Sequence, residues 1–177
     1  MKNARDMKTK IAVVAGVAGL LYTAADAMAA TQSVTANIAF DAAITLTKNF
    51  DINFGYVTAL QANTYKIDTA AAVTVTGGAG TGVWLGGTTA AGNITIAGSA
   101  TQTLSITAGN YVANNGVTPS LATCKYNGGA EAACSLATQA APGAGKTLLV
   151  GVSATASGAQ AAGSTAAPTF DIVVTYT

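Results

Sequence analysis

The chain has 177 residues, with eight basic and seven acidic side chains, two cysteines and no histidine. Without histidine, the common catalytic triads and zinc-bound water sites are not accessible, so we expect neither an enzyme nor a cofactor or metal site. Four of the eight basic residues lie within the first ten positions. The four lysines scattered over the rest do not make a basic surface for nucleic acid.

The first 29 residues have the three parts of a secretory signal peptide. A basic start at residues 2–10 precedes an uncharged, mostly apolar run at residues 11–22, and Ala27-Met28-Ala29 supplies the small-x-small cleavage pattern. The apolar run has twelve residues, whereas a membrane span needs about 20. We therefore predict that residues 1–29 are removed, which leaves a secreted, extracellular chain of 148 residues with a net charge of −1.

Residues 30–41, directly behind the predicted cleavage site, form what we call the N-terminal segment. Its apolar even positions are Val34, Ala36, Ile38 and Phe40, and the odd positions between them are polar or small. Strict alternation is typical of a strand with one buried face. Such a strand either completes the sheet of a neighbouring subunit or stays in its own domain, as one long strand whose parity continues through Leu46.

Residues 42–177 are predicted to form one all-β domain. Short β-branched runs alternate with Gly-, Asn- and Ala-rich turns, and no stretch has a sustained helical period. The predicted strands cover residues 44–47, 50–54, 72–76, 83–85, 93–97, 102–107, 121–126, 148–154 and 170–176. About nine short strands in one exported domain favour an immunoglobulin-like antiparallel β-sandwich.

The two cysteines, Cys124 and Cys134, are predicted to close a hairpin. Asn127-Gly128-Gly129 lies between them and is a strong tight-turn signal. An exported chain meets an oxidising environment, in which such a pair forms a disulfide. A metal site at this pair is disfavoured, because the chain has no histidine and no second cysteine pair to complete it.

The aromatic residues give two core predictions and one ambiguous site. Phe50, Ile52 and Phe54 share one face of a predicted strand, and the residues at 170, 172, 174 and 176 share one face of the C-terminal strand. Both sets are predicted to lie in the core. Trp84 stands between glycine-rich turns, where it either packs against the sheet or lies exposed and stacks on a sugar.

Several of these features together resemble bacterial pilin-type proteins. They are the signal, the alternating N-terminal segment, Phe54-Gly55, the single predicted disulfide and the terminal run Phe170-Asp171-Ile172-Val173-Val174-Thr175-Tyr176. The terminal strand with its near-terminal tyrosine is similar to that of the spore coat protein U group of chaperone–usher pilins. The chain resembles more closely a secreted bacterial pilin-like family known as a domain of unknown function. It departs from the spore coat group in cysteine placement, since that group often has an early cysteine.

The resemblance implies a sandwich that is incomplete alone and is completed by a strand from another copy. We therefore expect a structural subunit of an extracellular filament, or fimbrium, in which the four apolar side chains of one N-terminal segment fill a groove of the next subunit. The implied partners are copies of the chain itself, with a periplasmic chaperone and an outer-membrane usher as candidate assembly factors. The alternative is a secreted adhesin or carbohydrate-binding module with Trp84 at its site.

Overall fold

A computed structural model describes residues 31–77 and 80–177 of the chain. The predicted signal peptide and its cleavage site lie outside the described residues. The chain divides into two units, Met1–Ala39 and Phe40–Thr177. The described part of the first unit contains no helix or strand, whereas the second is an all-β domain of antiparallel sheets, in agreement with the predicted β-sandwich.

Twelve strands make up the described part of the domain. They are β1 Thr45–Phe50, β2 Tyr56–Val57, β3 Ala62–Ile67, β4 Val73–Gly77, β5 Trp84–Gly86, β6 Gly92–Ala97, β7 Leu104–Val112, β8 Val117–Tyr126, β9 Ala132–Ala133, β10 Ser135–Gln139, β11 Lys146–Ser157 and β12 Thr169–Tyr176. None of the described residues forms a helix long and apolar enough to cross a membrane.

The larger sheet is organised around β11. One edge of β11 pairs first with β6 and then with β3, while its other edge pairs with β8. The strand order is β1-β6-β11-β3-β4, and β9 extends the sheet beyond β8. A twelve-residue strand at the centre explains why β11 is buried through most of its length, because it is paired on both edges and covered on one face.

The smaller sheet has the order β10-β7-β12 and supplies the other half of the core. Leu104 and Ile106 of β7 are fully buried, as are Ile96 of β6 and Leu148 of β11. Packed together, these side chains form one hydrophobic cluster between the two sheets. Partly buried side chains of β12 lie at its margin, and they are Phe170, Ile172, Val174 and Tyr176. The core position predicted for that strand face is confirmed.

The predicted disulfide-closed hairpin is confirmed. Cys124 on β8 and Cys134, just after β9, are bonded, with their Cα atoms 4.8 Å apart. Asn127 and Gly128 have φ values of 48° and 74°, as a two-residue type I′ turn requires. The Gly129 N–H donates to the Tyr126 carbonyl at 2.9 Å. The turn residues and the disulfide therefore fix the same hairpin at its two ends.

The predicted strand at residues 50–54 is wrong. β1 ends at Phe50, whose side chain is largely exposed, whereas Ile52 and Phe54 pack against the core from an irregular stretch. The Asn53 side chain accepts a hydrogen bond from the Gly55 N–H at 2.9 Å. Gly55 has a φ of 74°, which glycine adopts without strain. This turn takes the chain out of the sheet while its inward side chains stay inside.

Candidate subunit interface

Several strands in the described domain are paired on one side only, among them β1, β4, β10 and β12. β1 pairs only with β6, and β12 pairs only with β7. Leu46 of β1 lies opposite Ile96 on the inner face, yet Leu46 is 45% exposed while Ile96 is fully buried. Paired residues on one face share their surroundings. The difference in exposure between Leu46 and Ile96 therefore shows that apolar surface beside the free edge of β1 is uncovered.

An apolar cleft lies between the free edges of β1 and β12. One wall is formed by residues 48–59, which follow from β1, and the other by residues 160–172, which lead into β12. Half of the cleft is a cavity of about 740 Å³ whose floor is Ile94 of β6 together with Val150 and Val152 of β11. Its walls carry four large apolar side chains, namely Phe50, Ile52, Phe170 and Ile172.

The cleft continues into a second cavity of about 900 Å³. Phe54, Ala154 and Pro168 line both cavities, so the two adjoin along β11. In the second half, residues 160–165 on one wall and Thr58 on the other add amides and hydroxyls to a mainly apolar lining. A space between two strand edges, with apolar side chains in its floor and walls, suits an extended peptide.

Hydrogen bonds lie beyond each end of the cleft, two at one end and one at the other. At the first, which we call the Tyr176 end, the Tyr176 hydroxyl donates to the Ala42 carbonyl at 2.6 Å and accepts from the Ser99 N–H at 2.7 Å. At the second, the Gln160 end, the Leu60 N–H donates to the Gln160 carbonyl at 2.9 Å. The cleft is therefore bounded at both ends, and its free strand edges face sideways.

The N-terminal segment has no strand in its described part. Residues 31–44 carry no regular structure, and β1 begins at Thr45. The one long strand that the parity of Leu46 allowed is therefore not formed. Val34, Ile38 and Phe40 are 90%, 78% and 90% exposed, and Ala36 is exposed as well. Three large apolar side chains in a row, all exposed, are unusual for a free soluble chain.

A polar cluster holds the last residue of this segment to the domain. Asp41 accepts hydrogen bonds from the Ser99 hydroxyl at 2.5 Å and from the Ala42 N–H at 2.7 Å. Ser99 is fully buried and also accepts from the N–H groups of Thr101 and Gln102. The Ser99 hydroxyl, followed by the Ala42 N–H, lowers the pKa of Asp41 below its ordinary value of 3.8. We call Asp41, Ala42, Ser99, Thr101 and Tyr176 the Asp41 cluster.

No pattern in the sequence indicates this cluster. Asp41 reads as a solvated charge, and Ser99 lies 58 residues further along the chain in a Gly-Ser-Ala turn. Only the pairing of β1 with β6 brings residue 41 beside residue 99. The cluster therefore holds Asp41 at a defined position on the domain.

Trp84, the candidate ligand residue, is engaged within the domain. It lies on β5, paired with Val57 of β2, and its indole N–H donates to the Phe54 carbonyl at 2.7 Å. The side chain is 37% exposed. Because its one polar atom is already bonded to the backbone, this geometry favours packing of the β2–β5 pair over stacking on a sugar.

Comparison with known proteins does not assign the chain to a family. No protein-family model, curated protein or solved structure matches this chain. Nor do three or more Asp, Glu, Cys or His side chains cluster as metal ligands anywhere in residues 31–77 and 80–177. The functional argument therefore rests on the motifs of the sequence and on the cleft.

Proposed function

We propose that the chain is a pilin-like structural subunit, secreted and assembled into an extracellular filament by head-to-tail strand donation. The N-terminal segment of one copy fills the cleft of the next. The observation that carries this proposal is the coexistence, in one chain, of an apolar cleft between two unpaired strand edges and an exposed segment with strand alternation but no strand partner.

The segment and the cleft match in length and chemistry. Seven residues from Val34 to Phe40 span about 23 Å as a strand, close to the length of the eight-residue β12. The alternation directs every second side chain to one face. Burial of Val34, Ile38 and Phe40 contributes about 1.5–3 kcal/mol each, and each new ladder hydrogen bond about 0.5–1.5 kcal/mol. One donated strand thus supplies enough free energy for a durable joint.

The direction of the donated strand follows from where the segment leaves its own domain. Asp41 is fixed at the Tyr176 end of the cleft. If Phe40 of a guest lay at the Tyr176 end of its host, both copies would present the same end to each other and close as a two-fold pair. If Phe40 lies at the Gln160 end, the joint repeats without closing. A filament therefore requires a donated strand antiparallel to β12 and parallel to β1.

The test removes the segment and then restores it as a peptide. A chain lacking residues 30–40 behind the same signal should be secreted as monomer, with no filaments in negative-stain electron microscopy. A synthetic peptide of residues 30–41 should bind that monomer and raise its Tm, because a ligand that binds only the folded state stabilises it. Filaments that persist without the segment would rule out strand donation.

A matched pair of substitutions separates burial from composition. Ile38→Asp places a charge on the apolar face of the segment, whereas Asn37→Asp places the same charge on the opposite face. The first peptide should fail to bind the truncated monomer, because an unpaired carboxylate would be buried in the cleft. The second should bind with at most a small loss. Equal binding of both peptides would contradict an apolar slot.

A further inference from the structure

No linker residues separate the donated strand from the domain that donates it. Phe40 is the last apolar position of the segment, and the next residue, Asp41, is bonded to Ser99 and Ala42 of its own domain. Consecutive Cα atoms are about 3.8 Å apart. When Phe40 lies in the cleft of a host, the Asp41 cluster of the guest must therefore lie at the surface of that host.

The host surface at that position is an exposed apolar rim. Three large side chains, Tyr56, Leu60 and Leu85, border the Gln160 end and are between 61% and 71% exposed. Tyr56 and Leu85 line the 900 Å³ cavity, and the Leu60 N–H makes the hydrogen bond at this end. The rim is thus continuous with the cleft that receives the strand.

The charges and sizes of the two surfaces are compatible. Residues 54–65 and 158–168, which build the Gln160 end, contain no charged side chain. The exposed side chains at the Asp41 cluster include three alanines, Ala42, Ala43 and Ala100. The Asp41 carboxylate is already hydrogen-bonded. Contact between the two surfaces therefore brings no like charges together, and large apolar side chains meet small ones.

Resting on the proposed function, we propose that the rim formed by Tyr56, Leu60 and Leu85 is a second interface, the seat for the Asp41 cluster of the neighbouring copy. Strand donation then provides the free energy of the joint, and the rim sets its angle and stiffness. The partner is a second copy of this chain, held by apolar contact next to the donated strand.

Engineered cysteines test the contact in assembled protein. The chain has only Cys124 and Cys134, which are bonded to each other, so an added pair is the sole source of free thiols. Filaments of the Leu60→Cys, Ala100→Cys double variant, treated with a short bis-maleimide, should give a ladder of covalent oligomers on a denaturing gel. The control pairs Ala100→Cys with Leu121→Cys, an exposed β8 position that belongs to neither the rim nor the lining of the cleft, and should give monomer.

The outcomes separate this interface from strand donation. Filaments that form normally but give no more ladder at position 60 than at position 121 would overturn the rim contact and leave strand donation standing. A parent chain that forms no filaments, and whose truncated form binds no peptide, would overturn both. As a second measurement, the Leu60→Ser variant changes a rim side chain that lines neither cavity. Without residues 30–40 it should bind the peptide of residues 30–41 like the truncated parent, whereas the full-length variant should form filaments with a shorter persistence length. Unchanged stiffness would count against the seat.

Discussion

The N-terminal segment and β12 have the same apolar–polar alternation but opposite fates. In β12, Phe170, Ile172 and Val174 are half-buried because the strand pairs with β7 and packs on the core. In the segment, Val34, Ile38 and Phe40 are exposed and no strand forms. Alternation therefore gives a sequence the ability to be a strand, and a partner edge decides whether it becomes one.

The largest expected difference between these regions comes from the same substitution in each. Val174→Asp would place a carboxylate opposite the fully buried Ile106 and lower the free energy of unfolding of the monomer by about 3 kcal/mol or more. Val34→Asp should change it by less than about 0.5 kcal/mol while abolishing filaments. Urea unfolding of the monomeric fraction, followed by Trp84 fluorescence, measures both. Equal destabilisation would show that the segment belongs to its own fold.

The disulfide hairpin lies within the domain and tests whether the stability of the domain is independent of the N-terminal segment. Replacing Cys124 and Cys134 together by alanine opens a ten-residue loop and should lower the free energy of unfolding by about 2.5–3 kcal/mol. The loss should be the same in the chain that lacks residues 30–40, since the hairpin lies within the domain. A loss that depends on the segment would contradict the independence of the two regions.

The boundary between the regions should give a smaller effect. Tyr176→Phe removes the hydroxyl that bonds both the Ala42 carbonyl and the Ser99 N–H, so we expect a loss of about 1–2 kcal/mol. Tyr56→Phe removes a hydroxyl from a largely exposed side chain and serves as the matched control, with a change below about 0.5 kcal/mol. Thermal unfolding of the parent and of both variants measures the two losses of stability. Equal losses would contradict a stabilising role for the Tyr176 hydrogen bonds.

The smallest effect concerns pH. The pKa of Asp41 is lowered by the Ser99 hydroxyl and the Ala42 N–H, so the stability that its ionised form contributes is present above its ordinary pKa of 3.8 and is lost as the pH falls through the lower pKa of the folded state. Asp41→Asn should therefore be less stable than the parent near neutrality and approach it in strong acid. A difference in stability that does not depend on pH would contradict this assignment.

The pKa of a second carboxylate is lowered as well, so the parent alone does not isolate Asp41. Burial works to raise the pKa of Glu131, but hydrogen bonds from the Thr69 hydroxyl and N–H outweigh it and the pKa is lowered. Glu131 lies within the disulfide hairpin, just before β9, and joins it to the turn after β3. The difference between parent and Asp41→Asn removes the Glu131 contribution, which both chains share.

The strands that sequence analysis found are those with clear β-branched alternation. β4, β6, β11 and β12 were each predicted at nearly their observed positions. By contrast, β3 was missed because its inner face includes Asn63, a polar residue that is buried. The Asn63 amide donates to the Gly82 carbonyl at 2.6 Å. That hydrogen bond compensates its burial, and it joins residues 19 positions apart, which no local pattern reveals.

Of the two parts of the candidate interface, the sequence predicted the N-terminal segment but not the cleft. The sequence identified the apolar face of the N-terminal segment, since period-two alternation is a local property. It did not identify the cleft, because residues 48–59 and 160–172 are far apart in the chain and meet only through the pairing of β1 with β6 and of β12 with β7. Even the correctly predicted inward side chains Ile52 and Phe54 lie on an irregular wall and not on a strand.

By itself, the sequence determined the all-β class, the disulfide hairpin and the strand-like character of the N-terminal segment. Each depends on neighbouring residues, through side-chain period, turn residues and the two cysteines. Tertiary structure alone decided which edges remain unpaired, where the cleft opens and that Asp41 is fixed beside Ser99. The physical reason is that strand pairing joins distant segments, and a missing neighbour becomes visible only when every other strand has its place.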